Sequence, residues 1–482
     1  MPFNSQQRNP VYQDWLPIWT KLGDCFDGEE AVKARGDLYL PTPTGFAKAP
    51  DPSAMLKGYM LRAQVPELMA PTVRGLAGVI HRKPATYDAT SIAAIIERAT
   101  SDGMTLDGFH RRVTRNVLTK GRFGILTDAP AGGGDPYLSG YPAEAIVDWE
   151  TDDAGKLTFL ALDETRQVRD ANGVWQVVER YRVLELIDGK LVLSMYETKP
   201  LADKRRRRPP LAEEALTMEP TLASGENLDF IPFTFINTND LTPDPDDAPL
   251  AGVANAQLSI YRLDADYRHA LYLTSQPTPY AAGIDPENAP TTIGSATIWL
   301  LPEGGSAGMV EFTGAGIEAM RNAMRDDYDK AVAAGAQLIG GGQQGQAESG
   351  DALRLRYGNQ TATITTISLN VGAGIEQALR FAATMKGANA DAIKVDPNLD
   401  FVEQRLSAND LNALVNSWLK GAISKVTMFD NLQRGQIVPE SRTFEDEEEL
   451  IAEEAPDLVP GNQQDDGTVD PNDGTGGVPA VA

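Results

Sequence analysis

Three long segments of the chain repeat apolar residues at three- and four-residue steps. One runs through Leu250, Val253, Leu258, Tyr261, Ala265 and Leu271, with Pro249 near its start and Pro277 at its end. A second runs through Ile317, Met320, Met324, Tyr328, Ala331 and Leu338, and a third through Ile364, Ile367, Val371, Ile375, Leu379 and Ala382. Each pattern places one apolar stripe on a helix. The first two helices, over about 250–275 and 316–338, should be roughly 39 and 34 Å long at about 1.5 Å per residue. They flank a Pro/Gly-rich insertion with strands expected at Ala296–Leu301 and Met309–Phe312. Helices of near-equal length on either side of a small β insertion predict a hairpin that carries the insertion at its far end. Between the second and third helices lies a glycine-glutamine run, GGGQQGQAESG, over Gly340–Gly350. A mobile tip between two rigid helices is a mechanical arrangement, and no nucleophile-base pair accompanies it.

The N-terminal half reads differently. Tyr12, Trp15, Trp19 and Leu22 mark a short aromatic helix, and Met55–Ile80 predicts helices broken near Pro66 and Pro71. A helix over Leu106–Thr119, stopped at Gly121, leads into a buried strand, RFGILTD, over Arg122–Asp128. From Ala145 to Glu197 short strands are expected at 146–149, 157–162, 175–181 and 191–196. Asn172-Gly173 and Asp188-Gly189 are strong hairpin signals between them. Asp203 to about Asn227 reads as a polar loop, and Ile231–Ile236 as a closing strand. Near the C-terminus a strand is expected at Leu399–Gln404. It precedes a helix capped by Ser407 and ended by Gly421, and a helix capped by Ser424 and stopped by Gly435 and Pro439.

At 482 residues and 42% apolar content, the chain can fill more than one core. Its single cysteine, Cys25, excludes an internal disulfide framework and a cysteine-based structural zinc site. The N-terminus lacks a signal-peptide pattern, and no stretch approaches the roughly 18–20 apolar residues of a membrane span. The expectation is a soluble protein made in the cytoplasm. The net charge is −25, but twelve carboxylates and no cation lie beyond Thr443, which leaves about −13 for the rest. No overall basic footprint for tight nucleic-acid binding exists. Residues beyond about Pro456 lack apolar content and are expected to be disordered.

Candidate chemistry is sparse. The glycine run has no Gly-Lys-Ser/Thr, so it is not a phosphate-cradling Walker loop. The basic run Lys204–Arg208 reads as a solvated loop or a contact with an acidic neighbour before it reads as a nucleic-acid contact. Asp326, Asp327 and Asp329 share a helix without further ligands, and Lys330 stands four residues after Asp326 for an ordinary ion pair. His81, His110 and His269 lie in separate segments without motif spacing. Trp15, Trp19 and Trp418 read as packing anchors. No catalytic residue, metal site or cofactor is predicted.

The order of these elements resembles the bacteriophage portal protein, the head-to-tail connector. The segment SGDALRLRYGNQTATITTISLNVGAGIEQALRFAA (Ser349–Ala383) resembles the portal helix that follows the tunnel loop. LNALVNSWLKGAISKVTMFDNLQRGQIVP (Leu411–Pro439) resembles the family's C-terminal helices, and RRVTRNVLTKGRFGILTD (Arg111–Asp128) its N-terminal helix entering the first wing strand. The resemblance implies an α+β subunit. Its parts would be an α/β wing (1–245 and 351–400), a two-helix stem (250–276 and 313–339), a small β clip (277–312), a tunnel loop (340–350), a kinked long helix, a helical crown (401–455) and an acidic tail (456–482).

It further implies a ring, usually a dodecamer, at the portal vertex of a capsid in the virion. Double-stranded DNA would pass through the ring, bound without sequence preference. Terminase large subunit, head-tail adaptor proteins, and major capsid and scaffolding proteins would be its partners, with no membrane and no enzymatic step. Channel-facing residues would be Gly341, Gly342, Gln343, Gln344 and Gln346 on the tunnel loop and Arg321, Arg325 and Lys330 on the stem. A passage that lets DNA slide should avoid a continuous basic lining, since each neutralised phosphate adds affinity. Two other readings stay open: a head-completion adaptor, whose subunits are usually much shorter, and a DNA-processing enzyme, whose motifs are missing here.

Overall fold

The computed structural model describes residues 4, 6–130, 134–170, 172–198, 213–274, 278–285, 287, 292, 298–310, 315–336, 350–401, 408–435, 437–439 and 441–454. They form a mixed α+β structure with twelve α-helices and several small antiparallel sheets. Two compact units divide the chain, 1–401 and 402–482.

The first unit opens with six helices: α1 (Pro10–Asp27), α2 (Glu29–Ala34), α3 (Pro52–Arg62), α4 (Met69–Ile80), α5 (Ala94–Glu97) and α6 (Leu106–Lys120). Local chemistry sets several of their ends. The side chains of Asn9, Asp51 and Thr105 each accept a hydrogen bond from a backbone N–H in the first turn of α1, α3 and α6. Pro71 does not break a helix, contrary to the sequence expectation. It occupies the first turn of α4, where backbone N–H groups have no intrahelical partner to lose. The interruption falls at 63–68, around Pro66.

Between α5 and the next long helix the chain is mostly β, apart from α6. A three-stranded antiparallel sheet has the order β11–β2–β3, formed by Phe233–Asn237, Arg122–Asp128 and Tyr137–Pro142. A five-stranded antiparallel sheet has the order β10–β9–β8–β5–β4, formed by Glu213–Met218, Lys190–Glu197, Arg180–Ile187, Leu157–Asp163 and Ile146–Thr151. A separate ribbon pairs β6 (Arg166–Arg169) with β7 (Trp175–Val178) across the Asn172-Gly173 turn. At the β8–β9 turn, Asp188 and Gly189 both have positive φ (51° and 76°), as a two-residue hairpin of this hand requires.

Several expectations are corrected. The polar loop contains β10, which pairs along β9; its run E-E-A-L-T-M carries no clear alternation, and pairing to an open edge selects it. Residues 203–212 lie outside the described residues. Residues 399–401 form no strand, and 402–404 are outside the described residues. The pairing in that region is instead β14 (Lys394–Asp396) against β1 (Thr86–Asp88), two strands too short to leave a periodic signal.

Five further elements complete this unit: α7 (Ala251–Thr274), β12 (Thr278–Ala282), β13 (Ser306–Val310), α8 (Ala315–Ala336) and α9 (Gly350–Met385). The 36 residues of α9 run continuously for about 54 Å. Its stripe Ile364, Ile367, Val371, Ile375, Leu379 and Ala382 is completely buried. Each of the large aliphatic side chains there contributes roughly 2 kcal/mol of transfer free energy. Close packing of this helix on β11 depends on Gly374, where a Cβ would lie 2.4 Å from the side chain of Ile236. One core gathers α1, α4, α6, α7 and α9. A second sits between the aromatic face of α1 and the sheets, with Trp19 fully buried and stacked on Trp15.

The second unit holds α10 (Ala408–Leu419), α11 (Lys425–Arg434) and α12 (Phe444–Glu454). Gly421 (φ 73°) follows α10, and the Ser424 hydroxyl caps α11 by accepting from the Thr427 N–H. Ser407 lies outside the described residues. Phe429 meets Phe444 edge-on at 5.5 Å, and Lys425 pairs with Glu448 at 2.8 Å. Trp418 is half-buried.

Candidate functional site

The base of the α7–α8 hairpin is fastened to the core by buried apolar and polar side chains. The inner half of α7 buries Val253, Ala254, Gln257, Leu258, Tyr261, Asp264 and Ala265. Two of these are polar because they hold other chain segments. Gln257 Oε1 accepts from the backbone N–H groups of Leu68 (3.2 Å) and Met69 (2.9 Å), capping α4, while its amide donates to the carbonyl of Cys25 (3.0 Å). Asp264 accepts from the Gln64 N–H at 2.6 Å and pairs with Arg268 at 2.7 Å.

The loop that launches α7 is clamped from below. Gly121, with φ at 73°, lies so close to the carbonyl of Asp247 that a Cβ would sit 1.7 Å from its oxygen. Beside it, the Arg122 side chain is fully buried between Trp149 (4.7 Å) and Phe235 (4.9 Å), donating to Asn237 Oδ1 at 3.2 Å. Burial pushes the guanidinium down to about 9, against the opposing pull of Asp244, Asp246 and Asp240. The Asn237 amide then donates to the carbonyls of Thr242 and Asp244, closing the turn. Sequence periodicity identified the buried strand but gave no sign that its first residue is a buried cation.

From this root the two helices run as an antiparallel pair. Gly252 faces Ala334, and the Ser259 hydroxyl donates to Asp327 at 2.6 Å, seven residues along on each helix. The same sense of pairing continues at the tip, where β12 pairs with β13 from Thr278↔Val310 to Ala282↔Ser306. The helices span about 36 and 33 Å, slightly shorter than expected. Residues 298–301, expected to be a strand, are irregular; β13 takes β12 as its partner instead.

Where α7 emerges from the core, Tyr59 donates to Asp266 at 2.7 Å and Arg62 lies 4.1 Å over the ring of Tyr272. His269 packs among Phe46 and Tyr59, and burial and Arg62 together hold its pKa below the usual imidazole range. Past this point Leu271, Tyr272 and Leu273 on α7 face solvent; on α8, level with the root, so do Tyr328 and Val332. Tyr328 was expected on the buried stripe. Its neighbour Asp327 takes the seam position, held by Ser259, and Tyr328 turns outward.

Of the predicted stem cations, Arg321 and Arg325 are exposed on α8. Lys330 is also exposed but pairs with Asp327 at 2.8 Å, not with Asp326 as the spacing implied. That bond raises the lysine pKa and, with Ser259, lowers that of Asp327. Four carboxylates stand against three cations along α8, so the shaft is close to neutral. The tunnel-loop candidates Gly341, Gly342, Gln343, Gln344 and Gln346 and the run Lys204–Arg208 lie outside the described residues, as does the tail beyond 454.

Two of the three histidines are neighbours, although the sequence separated them. His81 and His110 meet edge-on at 4.9 Å; His81 bonds to Thr114 (2.8 Å) and His110 to Tyr87 (2.9 Å). Burial lowers them to about 4 and about 3. Both are neutral core groups. Among the described residues no group of three or more His, Cys, Asp or Glu could hold a metal ion, and no helix is long and apolar enough to cross a membrane.

Residues 249–385 match a family described as a domain of unknown function, DUF4055. That span opens two residues before α7 and closes on the last residue of α9. No curated protein matches the sequence. Several solved structures are similar at low identity. One is a chain from the neck of an empty GTA particle computed with C6 symmetry, at 12% identity and a TM-score of 0.40, covering 80% of this chain and 90% of that one. Another is from the neck of a native GTA particle computed with C12 symmetry, at 14% identity and a TM-score of 0.40, covering 76% and 89%. A third is from the virion of a native gene transfer agent (GTA) particle, at 13% identity and a TM-score of 0.37, covering 83% and 95%.

Proposed function

We propose that this chain is a portal subunit, one member of a ring that conducts double-stranded DNA at a capsid vertex. The observation that carries this reading is the α7–α8 shaft. It is rooted through buried Gln257 and Asp264, projects as a helical pair, ends in a two-stranded tip, and presents Leu271, Leu273, Tyr328 and Val332 to solvent. A lone subunit gains nothing from exposing those side chains, whereas packing shafts side by side around an axis covers them. In this assignment the shaft is the stem (250–276 and 313–339), β12–β13 belong to the clip, and the sheets with α9 form the wing. The helices α10–α12 are the crown. The near-neutral stem, with Arg321 and Arg325 exposed on α8, guides a duplex without trapping it. The clip is the docking surface for a terminase motor and, later, for adaptor proteins. Capsid and scaffolding proteins surround the ring.

The reading is tested by placing a charge in the shaft contact. Leu273→Glu together with Tyr328→Glu should leave the circular dichroism spectrum unchanged and abolish the high-mass species in analytical ultracentrifugation. Retention of that species by the double variant would remove the stem from the assembly contact and the reading with it.

A further inference from the structure

The β6–β7 ribbon and an apolar cleft elsewhere on the same unit are complementary. The ribbon is a two-stranded sheet of its own, a structure that is marginal in water without something packed on it. In its register Arg169 faces Trp175 and Gln167 faces Val177, so Trp175, Val177 and Arg169 share one face. That face is bare: Trp175 is 66% and Val177 64% exposed. The cleft has a volume of about 560 Å³ and is lined by Leu126, Leu184, Leu191, Leu193, Leu222 and Met385. Such a volume lies within the range that accepts a large ring system. On its rim Asp128 is neutralised by Arg182, and Lys386 by Asp135, while Glu219 makes no ion pair among the described residues. Among the described residues Arg169 likewise makes no ion pair, its Nε donating to the carbonyl of Gly173.

We infer that the ribbon of one copy docks in the cleft of the next, with the Trp175 indole in the apolar floor, Val177 against its wall and Arg169 beside Glu219. Finger and socket are different surfaces present on every copy, so the contact is heterologous and propagates from copy to copy until a ring closes. An indole sunk in a desolvated pocket, flanked by one complementary charge pair, has the composition of an interface anchor. The inference rests on the ring reading but concerns a contact distant in sequence from the stem.

The test uses the full chain carrying Val177→Cys and Thr221→Cys, positions on the ribbon face and the cleft rim. Cys25 is buried and does not compete. Mild oxidation should convert the double variant into a ladder of covalent oligomers on a non-reducing gel, with trimers and higher. Each single variant should give no species above a dimer. Adding Trp175→Ala should reduce the ladder at least tenfold. Rings visible by electron microscopy without a ladder, or a ladder indifferent to Trp175→Ala, would overturn the docking while leaving the ring intact. A chain that forms no ring at all would overturn both.

Discussion

Replacing Gln257 by leucine should loosen the root of the shaft more than any surface change of similar size. The leucine fills nearly the same volume but satisfies none of the three backbone groups that Gln257 serves: the N–H groups of Leu68 and Met69 and the carbonyl of Cys25. Gln257 is 0% exposed, so water cannot replace the lost partners without opening the core. A buried polar group left unsatisfied costs about 1–3 kcal/mol. Allowing for partial relaxation, the loss should be about 3–5 kcal/mol, a large share of the stability of an ordinary domain. Urea unfolding at fixed protein concentration, followed by tryptophan fluorescence, measures it. Hydrogen exchange should show faster exchange confined to the first turn of α4. A loss below about 1 kcal/mol with unchanged exchange at Leu68 and Met69 would refute the clamp.

Other consequences are more local. Gly121→Ala forces a side chain into the left-handed region and onto the Asp247 carbonyl, so it should cost at least about 2 kcal/mol and lower the melting temperature. An unchanged melting temperature would contradict the close approach. His81 and His110 are held neutral, with pKa values depressed to about 4 and about 3 by burial. Groups depressed in the folded state favour the fold above their unfolded pKa near 6.5, and that contribution is lost as pH falls from there toward 4. The stability difference between pH 7 and pH 5 should therefore shrink in His110→Phe; an equal difference would count against the buried pair. Burial and the adjacent Asp24 push the Cys25 thiol up to about 12, so a maleimide should label it only after denaturation. Labelling of the folded chain at pH 7.5 would show that this part of α1 is open.

Much of the scaffold was legible because strong local signals agreed with tertiary demand. The α9 stripe is buried at every predicted position, and Asp188-Gly189 turns between β8 and β9 as expected, whereas Asn172-Gly173 turns not from the 157–162 strand but from β6, a four-residue strand that the pattern did not show. Gly121 and Ser424 sit at the helix boundaries that their chemistry suggested. What stayed hidden depends on partners far away in sequence. The strand β10 is defined by the edge of β9, β1 and β14 pair across about three hundred residues, and His81 meets His110 only because α4 packs on α6. At the candidate site, the exposure of Arg321 and Arg325 agrees with an apolar stripe that faces away from them. The capture of Lys330 by Asp327 was missed, because Ser259 on the opposite helix fixes which aspartate lies in the seam. Arg122 was missed for a related reason: a cation inside a hydrophobic run shows its role only when Trp149, Phe235 and Asn237 close around it.

The central claim is tested most directly by electron microscopy of the purified full chain, with class averages down any symmetry axis. The account predicts closed rings of about twelve subunits with a central hole wide enough for duplex DNA and with the α7–α8 shafts arrayed around it. A homogeneous monomer or a compact two-fold dimer across the accessible concentration range, with the shaft folded against its own core, would contradict it.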